Sequence, residues 1–230
     1  MHDRAVIQKR TVVNVHKYKG ADMQVITIAM QKGGVGKSTL ARSLAVAAAR
    51  DGLSVLIIDM DSQQSVSQWA ERREGDMPVV VFSTENELPK KLAQAKGVAD
   101  LVIIDTPPAR STEAPAAVEV ADLVLIPTTP DIEPLEQMPR TLRLCRGFSR
   151  RVFAVVNMAN PTGPAEVAYT REVIEAMGAK TAPVVLHRRK AHRDASASGQ
   201  TVQEIDPNGK AAAELESLWE WVRAELQGSK

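Results

Sequence analysis

The chain has 230 residues, with 29 Lys and Arg against 28 Asp and Glu, 44% hydrophobic and 25% charged residues, the profile of an ordinary globular protein rather than a disordered one. Its one cysteine, Cys145, closes no internal disulfide and builds no multi-cysteine zinc or iron–sulfur site, so a disulfide-stapled secreted fold is excluded and a cytoplasmic setting is expected. The opening MHDRAVIQKR has no apolar signal core and no run of about 18 uncharged apolar residues occurs, so neither export nor membrane spanning is expected.

In chain order, residues 1–22 read as an N-terminal arm, basic at Arg4, Lys9, Arg10, Lys17 and Lys19, ahead of one domain over 23–230. Short apolar, β-branched runs follow: VITIA (25–29), SVLIID (54–59), PVVVF (78–82), LVIID (101–105), LVLIP (123–127), VFAVVN (152–157) and APVVL (182–186). Most are continuous rather than alternating in hydrophobicity, as in strands covered on both faces. The stretches 38–51, 62–74, 85–96, 132–145 and 165–177 are helix-sized. Strands separated by such spacers predict right-handed crossovers and an α/β fold, a doubly wound, mostly parallel sheet flanked by helices. A last helix over 207–226 sets Leu215, Leu218, Trp219, Val222 and Leu226 on one face, with Glu214, Glu216, Glu220 and Glu225 on the other. An anionic membrane would select the opposite charge, so this face predicts core packing and no membrane partner. Trp221 falls off the apolar stripe and is expected to be partly buried.

The chemistry concentrates where VITIA runs into Met30-Gln31-Lys32-Gly33-Gly34-Val35-Gly36-Lys37-Ser38-Thr39 and then a helix. A glycine-rich turn presents backbone N–H groups to phosphate oxygens, the helix start adds its dipole, Lys37 reaches the outer phosphates, and the Ser38 hydroxyl is placed to ligate Mg2+. The usual pattern opens with Gly five residues before Gly36; here Gln31 stands there, and Lys32 follows. Two carboxylate sites lie at the ends of presumed strands, where ligands of open α/β sheets collect: Asp59 and Asp61 in LIIDMDSQQ, and Asp105 in LVIIDTPP. Hydrolysis needs a group that orients water in line with the γ-phosphate, a role open to Asp61; capping of the next helix is the competing reading.

The string K-G-G-V-G-K-S-T (32–39) resembles the deviant Walker A box of the ParA/MinD family of ATPases. The resemblance implies a P-loop fold that binds ATP with Mg2+ in a sandwich homodimer, where Lys32 reaches the nucleotide of the other subunit and acts with Lys37 and Asp61 in catalysis. It further implies Gly33, Gly34, Val35, Gly36, Lys37, Ser38 and Thr39 as the nucleotide cradle, Asp59 in support, and Ser38 with Asp105 at the metal. LVLIPTTPD (123–131) resembles the family's strand and P-x-x-P turn, VVNMANP (155–161) sets Asn157 where members read adenine, and LHRRKAHRDASASGQTV (186–202) resembles the segment closing the base pocket. There Leu186-His187-Arg188 departs from a commoner I-P-R, at the position of a base contact by Arg188. The implied function is DNA segregation in plasmid or chromosome partition: a nucleoid-associated dimer on nonspecific double-stranded DNA, released when a ParB-like centromere-binding protein stimulates hydrolysis.

Charge supports the DNA half on its own. Positions 140–193 hold eleven Lys and Arg against three Glu, with a dense core at Arg188, Arg189, Lys190 and Arg193 suited to phosphate contacts. A solvated basic surface is the competing reading, and sequence-nonspecific duplex binding is the one preferred. With three Phe, two Tyr and three Trp in the chain, single-strand stacking is a poor alternative. Two other functions stay open, a related ATPase positioning another cargo and a metabolic enzyme of the dethiobiotin-synthetase type, which would need a second substrate pocket. A nitrogenase-reductase-like role fails, since Cys145 stands alone.

Overall fold

The computed structural model describes residues 23–108, 112–148 and 150–228; the expected arm over 1–22 lies outside them. Strand β1 (Gln24–Ile28) runs between β4 (Leu101–Asp105) and β5 (Leu123–Thr128). β2 (Val55–Asp59) and β3 (Val79–Phe82) extend the sheet beyond β4, and β6 (Arg151–Val156) and β7 (Lys180–Thr181) extend it beyond β5. The order β3-β2-β4-β1-β5-β6-β7 is parallel throughout, as the continuous apolar runs predict. Because β1 lies between β4 and β5, the carboxyl end of β1 is a topological switch point, where open sheets leave a crevice.

Nine helices among the described residues supply the crossovers: α1 (Lys37–Arg50), α2 (Ser65–Glu71), α3 (Leu88–Ala95), α4 (Glu113–Glu119), α5 (Ile132–Gly147), α6 (Pro164–Ala176), α7 (Ala191–Ala197), α8 (Val202–Ile205) and α9 (Lys210–Gln227). Alternate strand residues point to opposite faces. Ile26, Ile28, Ile57, Ile103 and Leu125 pack with Leu40 and Leu44 of α1, Trp69 of α2 and Leu215, Leu218 and Val222 of α9. On the other face, Leu56, Ile58, Val102 and Ile104 meet Leu88 and Leu92 of α3, while Val124, Ile126 and Val156 meet Leu135, Met138 and Leu142 of α5. The apolar stripe of α9 is thus core, fastened where Asp51 at the end of α1 accepts bonds from Trp219 Nε1 at 2.7 Å and Arg223 at 2.8 Å. Trp221 is half-buried, edge-on to Phe153 with ring centroids 4.9 Å apart. No helix among the described residues is long and apolar enough to cross a membrane.

Three expectations change. The seventh strand, expected over 182–186, is confined to Lys180–Thr181; Pro183 has no N–H to give, and the segment follows β6 through isolated bonds from Ala182 N to Ala154 O and Leu186 N to Val156 O. The helix expected over 62–74 shortens to Ser65–Glu71, because Asp61–Gln64 form a turn. Helices α4, α7 and α8, of seven, seven and four residues, were not expected.

Candidate nucleotide site

β1 delivers the chain into the glycine loop at the switch point, and α1 leaves it. Gly34 and Gly36 have φ of +81° and +89°, the left-handed region in which glycine is not strained. Gly36 has a second reason to lack a side chain: a Cβ there would stand 2.4 Å from Asn157 Nδ2. That amide donates to the Val35 carbonyl at 2.7 Å, and Asn157 Oδ1 accepts from Met158 N at 2.9 Å. Val35 is buried in the core and offers the site only backbone. Gly36 forms no side-chain cap on α1, so the first N–H groups of the helix face outward with its positive dipole end, the arrangement that favours an anion.

Lys37 is 7% exposed and its Nζ donates to the Lys32 carbonyl at 3.3 Å. Burial pulls its pKa down, against the attraction of Asp105 and Asp61. Lys32 is half-exposed and pairs with Glu133 at 3.2 Å. Asp59 and Asp105 are register partners at the ends of β2 and β4, and Ile28 of β1 is a partner of Asp105. This juxtaposition brings the acidic strand ends beside the loop.

The three carboxylates differ in what they touch. Asp59 is wholly buried and saturated: Oδ1 accepts from Asp61 N at 3.1 Å, and Oδ2 accepts from Ser67 N at 2.9 Å and Ser67 Oγ at 2.8 Å. It locks the strand end to α2, and burial raises its pKa. Asp61 Oδ1 accepts from Gln63 N at 2.9 Å, turning the chain ahead of α2 without capping it, since the N-cap is Gln64. Asp105 is fully buried, and among the described residues neither carboxylate oxygen has a hydrogen-bond partner of ordinary geometry. Burial pushes its pKa up to about 7; the nearby Ser38 hydroxyl and Lys37 oppose that, and Asp59 and Asp61 add to it. A buried carboxylate without partners is costly, and a hydrated divalent cation would satisfy it. One hydroxyl and one carboxylate fit Mg2+, which keeps several waters and needs no protein cage, and the described residues form no cluster of three or more His, Cys, Asp or Glu able to hold a metal.

Two adjoining cavities open here. One, of about 500 Å³, is walled by Gly33, Gly34, Gly36, Lys37, Ser38 and Asp61. The other, of about 540 Å³, is walled by Asn157, Leu186, His187, Arg188, Arg189 and Leu215, and Thr39, Arg42, Arg72, Met158 and Ser196 line both. A polar cradle beside a largely apolar chamber suits a nucleotide's phosphates and base. Two residues overlooked in the sequence organise the second cavity. Glu214 of α9 accepts from His187 N at 3.0 Å, bonds His187 Nδ1 at 2.9 Å and pairs with Arg189 at 2.5 Å, and these donors hold its pKa below the ordinary carboxylate value despite burial. Arg42 of α1 donates to Ser196 Oγ at 2.9 Å and Thr39 Oγ1 at 3.1 Å and lies 5.7 Å from the Trp69 ring centroid. An arginine inside the Ala- and Leu-rich run STLARSLAVAAA was the available signal.

Residues 26–202 match the CobQ/CobB/MinD/ParA nucleotide binding domain. The chain belongs to this family. A relative from Gloeobacter kilaueensis, "Maintenance of carboxysome distribution protein A", is 31% identical over 207 residues, covering 88% of this chain and 94% of the relative. "Protein ParA" of Rhizobium radiobacter is 36% identical over 85 residues, covering 36% of this chain and 38% of that protein. Among solved structures, the Aquifex aeolicus MinC:MinD complex superposes with a TM-score of 0.73 at 19% identity, over 87% of this chain and 96% of the other. An ATP complex of a Cyanothece McdA variant superposes with a TM-score of 0.70 at 19% identity, over 90% and 98%. These superpositions show the shared MinD/ParA fold.

Within this ParA/MinD-type chain the basic excess over 140–193 is not one surface. Arg146 donates to the Met177 carbonyl at 2.7 Å beyond α6, Arg150 to that of Glu119 ending α4, and Arg151 to that of Glu225 in the last turn of α9. Arg171 donates to Ala182 O at 3.1 Å and Pro183 O at 2.8 Å. Three of these cations satisfy carbonyls at helix C-termini, where the dipole also favours them. Of the expected DNA contacts, Arg189 is held by Glu214, and Lys190 is exposed in a loose 3.6 Å pair with Asp194. Arg188 and Arg193 are exposed at the rim of the second cavity.

Proposed function

We propose that the chain is an Mg2+-dependent ATPase of the positioning type, an ATP-driven dimer that rides on DNA without sequence preference and is released when a partner stimulates hydrolysis. The observation that supports this reading is the buried Asp105 carboxylate, beside Ser38 and Lys37 at the mouth of the glycine loop, whose oxygens have no hydrogen-bond partner of ordinary geometry among the described residues. In it, Lys37 and the loop amides bind the outer phosphates, and Ser38 and Asp105 would hold the metal. When bound, Mg2+ would supply charge neutralisation for the phosphates. Asp61, anchored by its turn and open to the cradle, orients the attacking water. Lys32 exchanges Glu133 for the nucleotide of a second copy, and Asn157 with Arg188 borders the base.

The cargo divides into two readings. DNA segregation, with a ParB-like partner at a centromere, is supported by ParA relatives aligned over about a third of the chain. Positioning of a protein body is supported by the carboxysome-distribution relative, aligned over 88% of it, and we favour a cargo of this second kind. The test is ATP turnover with and without Mg2+, together with binding to two unrelated duplexes without nucleotide, with ADP and with ATP–Mg2+, across a salt series. Sequence-indifferent binding that requires ATP and falls with salt is expected. Turnover without DNA binding in any state would sink the DNA-riding part.

A further inference from the structure

Arg42 is an anomaly in α1. It is 8% exposed in a helix whose neighbouring residues pack into the core, yet among the described residues no carboxylate bonds it. Its hydrogen bonds end on two neutral hydroxyls, Ser196 Oγ and Thr39 Oγ1, and the face of Trp69 lies beside it. Desolvation of a buried guanidinium is costly; the Asp105 carboxylate offsets it here only through space, without a bond, and most of the five N–H donors remain for another acceptor. Arg72 sits on the same wall, with a guanidinium nitrogen 3.5 Å from the Ser196 carbonyl, so the wall holds two like charges. That wall is where the phosphate cradle and the base-side cavity join. A nucleotide spanning both must lay there the group linking its ribose to its outer phosphates.

We infer that Arg42 is a phosphate-binding residue that grips the α-phosphate of the nucleotide, and that its bond to Ser196 ties α7 to the occupied site, so that the base side closes on nucleotides and not on nucleosides. The inference rests on the nucleotide reading above. The α-phosphate supplies a charged acceptor in direct contact, which Asp105 does not, and a guanidinium fork suits phosphate oxygens better than an ammonium does. Arg42 thereby makes affinity depend on a phosphate common to AMP, ADP and ATP, whereas Lys37 acts only on the outer ones.

Calorimetric titration of the full chain with adenosine, AMP, ADP–Mg2+ and ATP–Mg2+ tests this in wild type, Arg42→Gln, Arg42→Lys and Lys37→Ala. Removal of a charge-assisted hydrogen bond predicts that Arg42→Gln weakens AMP, ADP and ATP alike by about tenfold or more, with adenosine unchanged. Arg42→Lys should lose a smaller factor in the same order. Lys37→Ala should lose ATP and ADP but keep AMP. Wild-type affinity of Arg42→Gln for all three phosphorylated ligands would overturn the inference, as would an equal loss for adenosine, which marks a purely structural role. Should the Gln variant not fold by circular dichroism, Arg42→Lys carries the same test: wild-type affinity for AMP overturns the inference and a partial loss supports it. Unchanged ATP affinity in Lys37→Ala would instead overturn the nucleotide reading itself, so the two failures are distinguishable.

Discussion

Asn157 Nδ2 donates to the carbonyl of Val35 at 2.7 Å, fastening the end of β6 to the phosphate loop across the switch point of the sheet. The bond sets the loop's shape from outside, because Val35 is flanked by glycines that impose none of their own. Replacing Asn157 by Ala leaves a buried carbonyl without a partner, a loss of about 1–3 kcal/mol. The expected result is a lower melting temperature and weaker ATP binding together. Gly36→Ala should lose ATP binding more completely, since it meets both the positive φ and the 2.4 Å approach of Asn157.

Variants at Lys37 and Lys32 should separate binding from assembly. Lys37 is buried against the loop with Asp105 and Asp61 as its attracting charges, so Lys37→Ala should abolish ATP binding in an equilibrium titration. Lys32 lies further out, paired with Glu133. Lys32→Ala should bind ATP as a monomer and fail to dimerise with ATP in sedimentation or light scattering.

Asp61 is less embedded than its neighbour Asp59, and in the turn its Oδ1 accepts from Gln63 N. Asp61→Ala should keep ATP-dependent dimerisation and lower turnover about a hundredfold, the size of effect expected when a reacting water is no longer held in line. Wild-type turnover in this variant would remove Asp61 from the mechanism. Asp59→Ala should instead destabilise the fold, because three donors lose their acceptor.

The Asp105 carboxyl gives the protein a pH signature. Its folded pKa is raised from 3.8 to about 7, chiefly by burial, so the folded state holds a proton that the unfolded state has released. Stability without ligand should therefore fall as pH rises from about 4 to about 7 and level off above, the slope following proton uptake in the native state. Asp105→Asn should make that slope shallower, leaving the contribution of Asp59, whose pKa burial also raises. Mg2+ held as proposed would require the ionised form, so stabilisation by ATP–Mg2+ in thermal melts should weaken below about pH 7.

Much of the architecture was legible because its causes are local. VLII and LVII, each ending in an aspartate, are continuously apolar, as a doubly covered parallel strand requires, and they became β2 and β4 with every residue buried. The loop was legible for the same reason, since glycines and Lys37 act through the backbone they belong to. What escaped depends on distant partners. Helices α7 and α8 are too short to carry a periodic stripe, and Pro183 broke a strand that composition alone favoured. Glu214 looked like one more acid on a solvated face, yet the docking of α9 turns it toward His187 and Arg189.

The cations of positions 140–193 show how charge content and charge direction part company, and they set the last test. Arg151 donates to the Glu225 carbonyl of α9 and Arg150 to that of Glu119, so Arg151→Ala should lower stability by about 1–3 kcal/mol and leave the salt slope of DNA binding unchanged. Arg189→Glu would set a carboxylate against Glu214 and loosen α9, confounding any effect on DNA. The informative variant reverses Arg188, Lys190 and Arg193, all exposed. It should weaken ATP-dependent binding equally on unrelated duplexes and shrink the salt slope by about one for each phosphate no longer neutralised. Arg188 and Arg193 also line the base-side cavity, so ATP affinity is measured alongside; weakened DNA binding that persists at saturating ATP places these cations on DNA, whereas recovery at high ATP places them on the nucleotide.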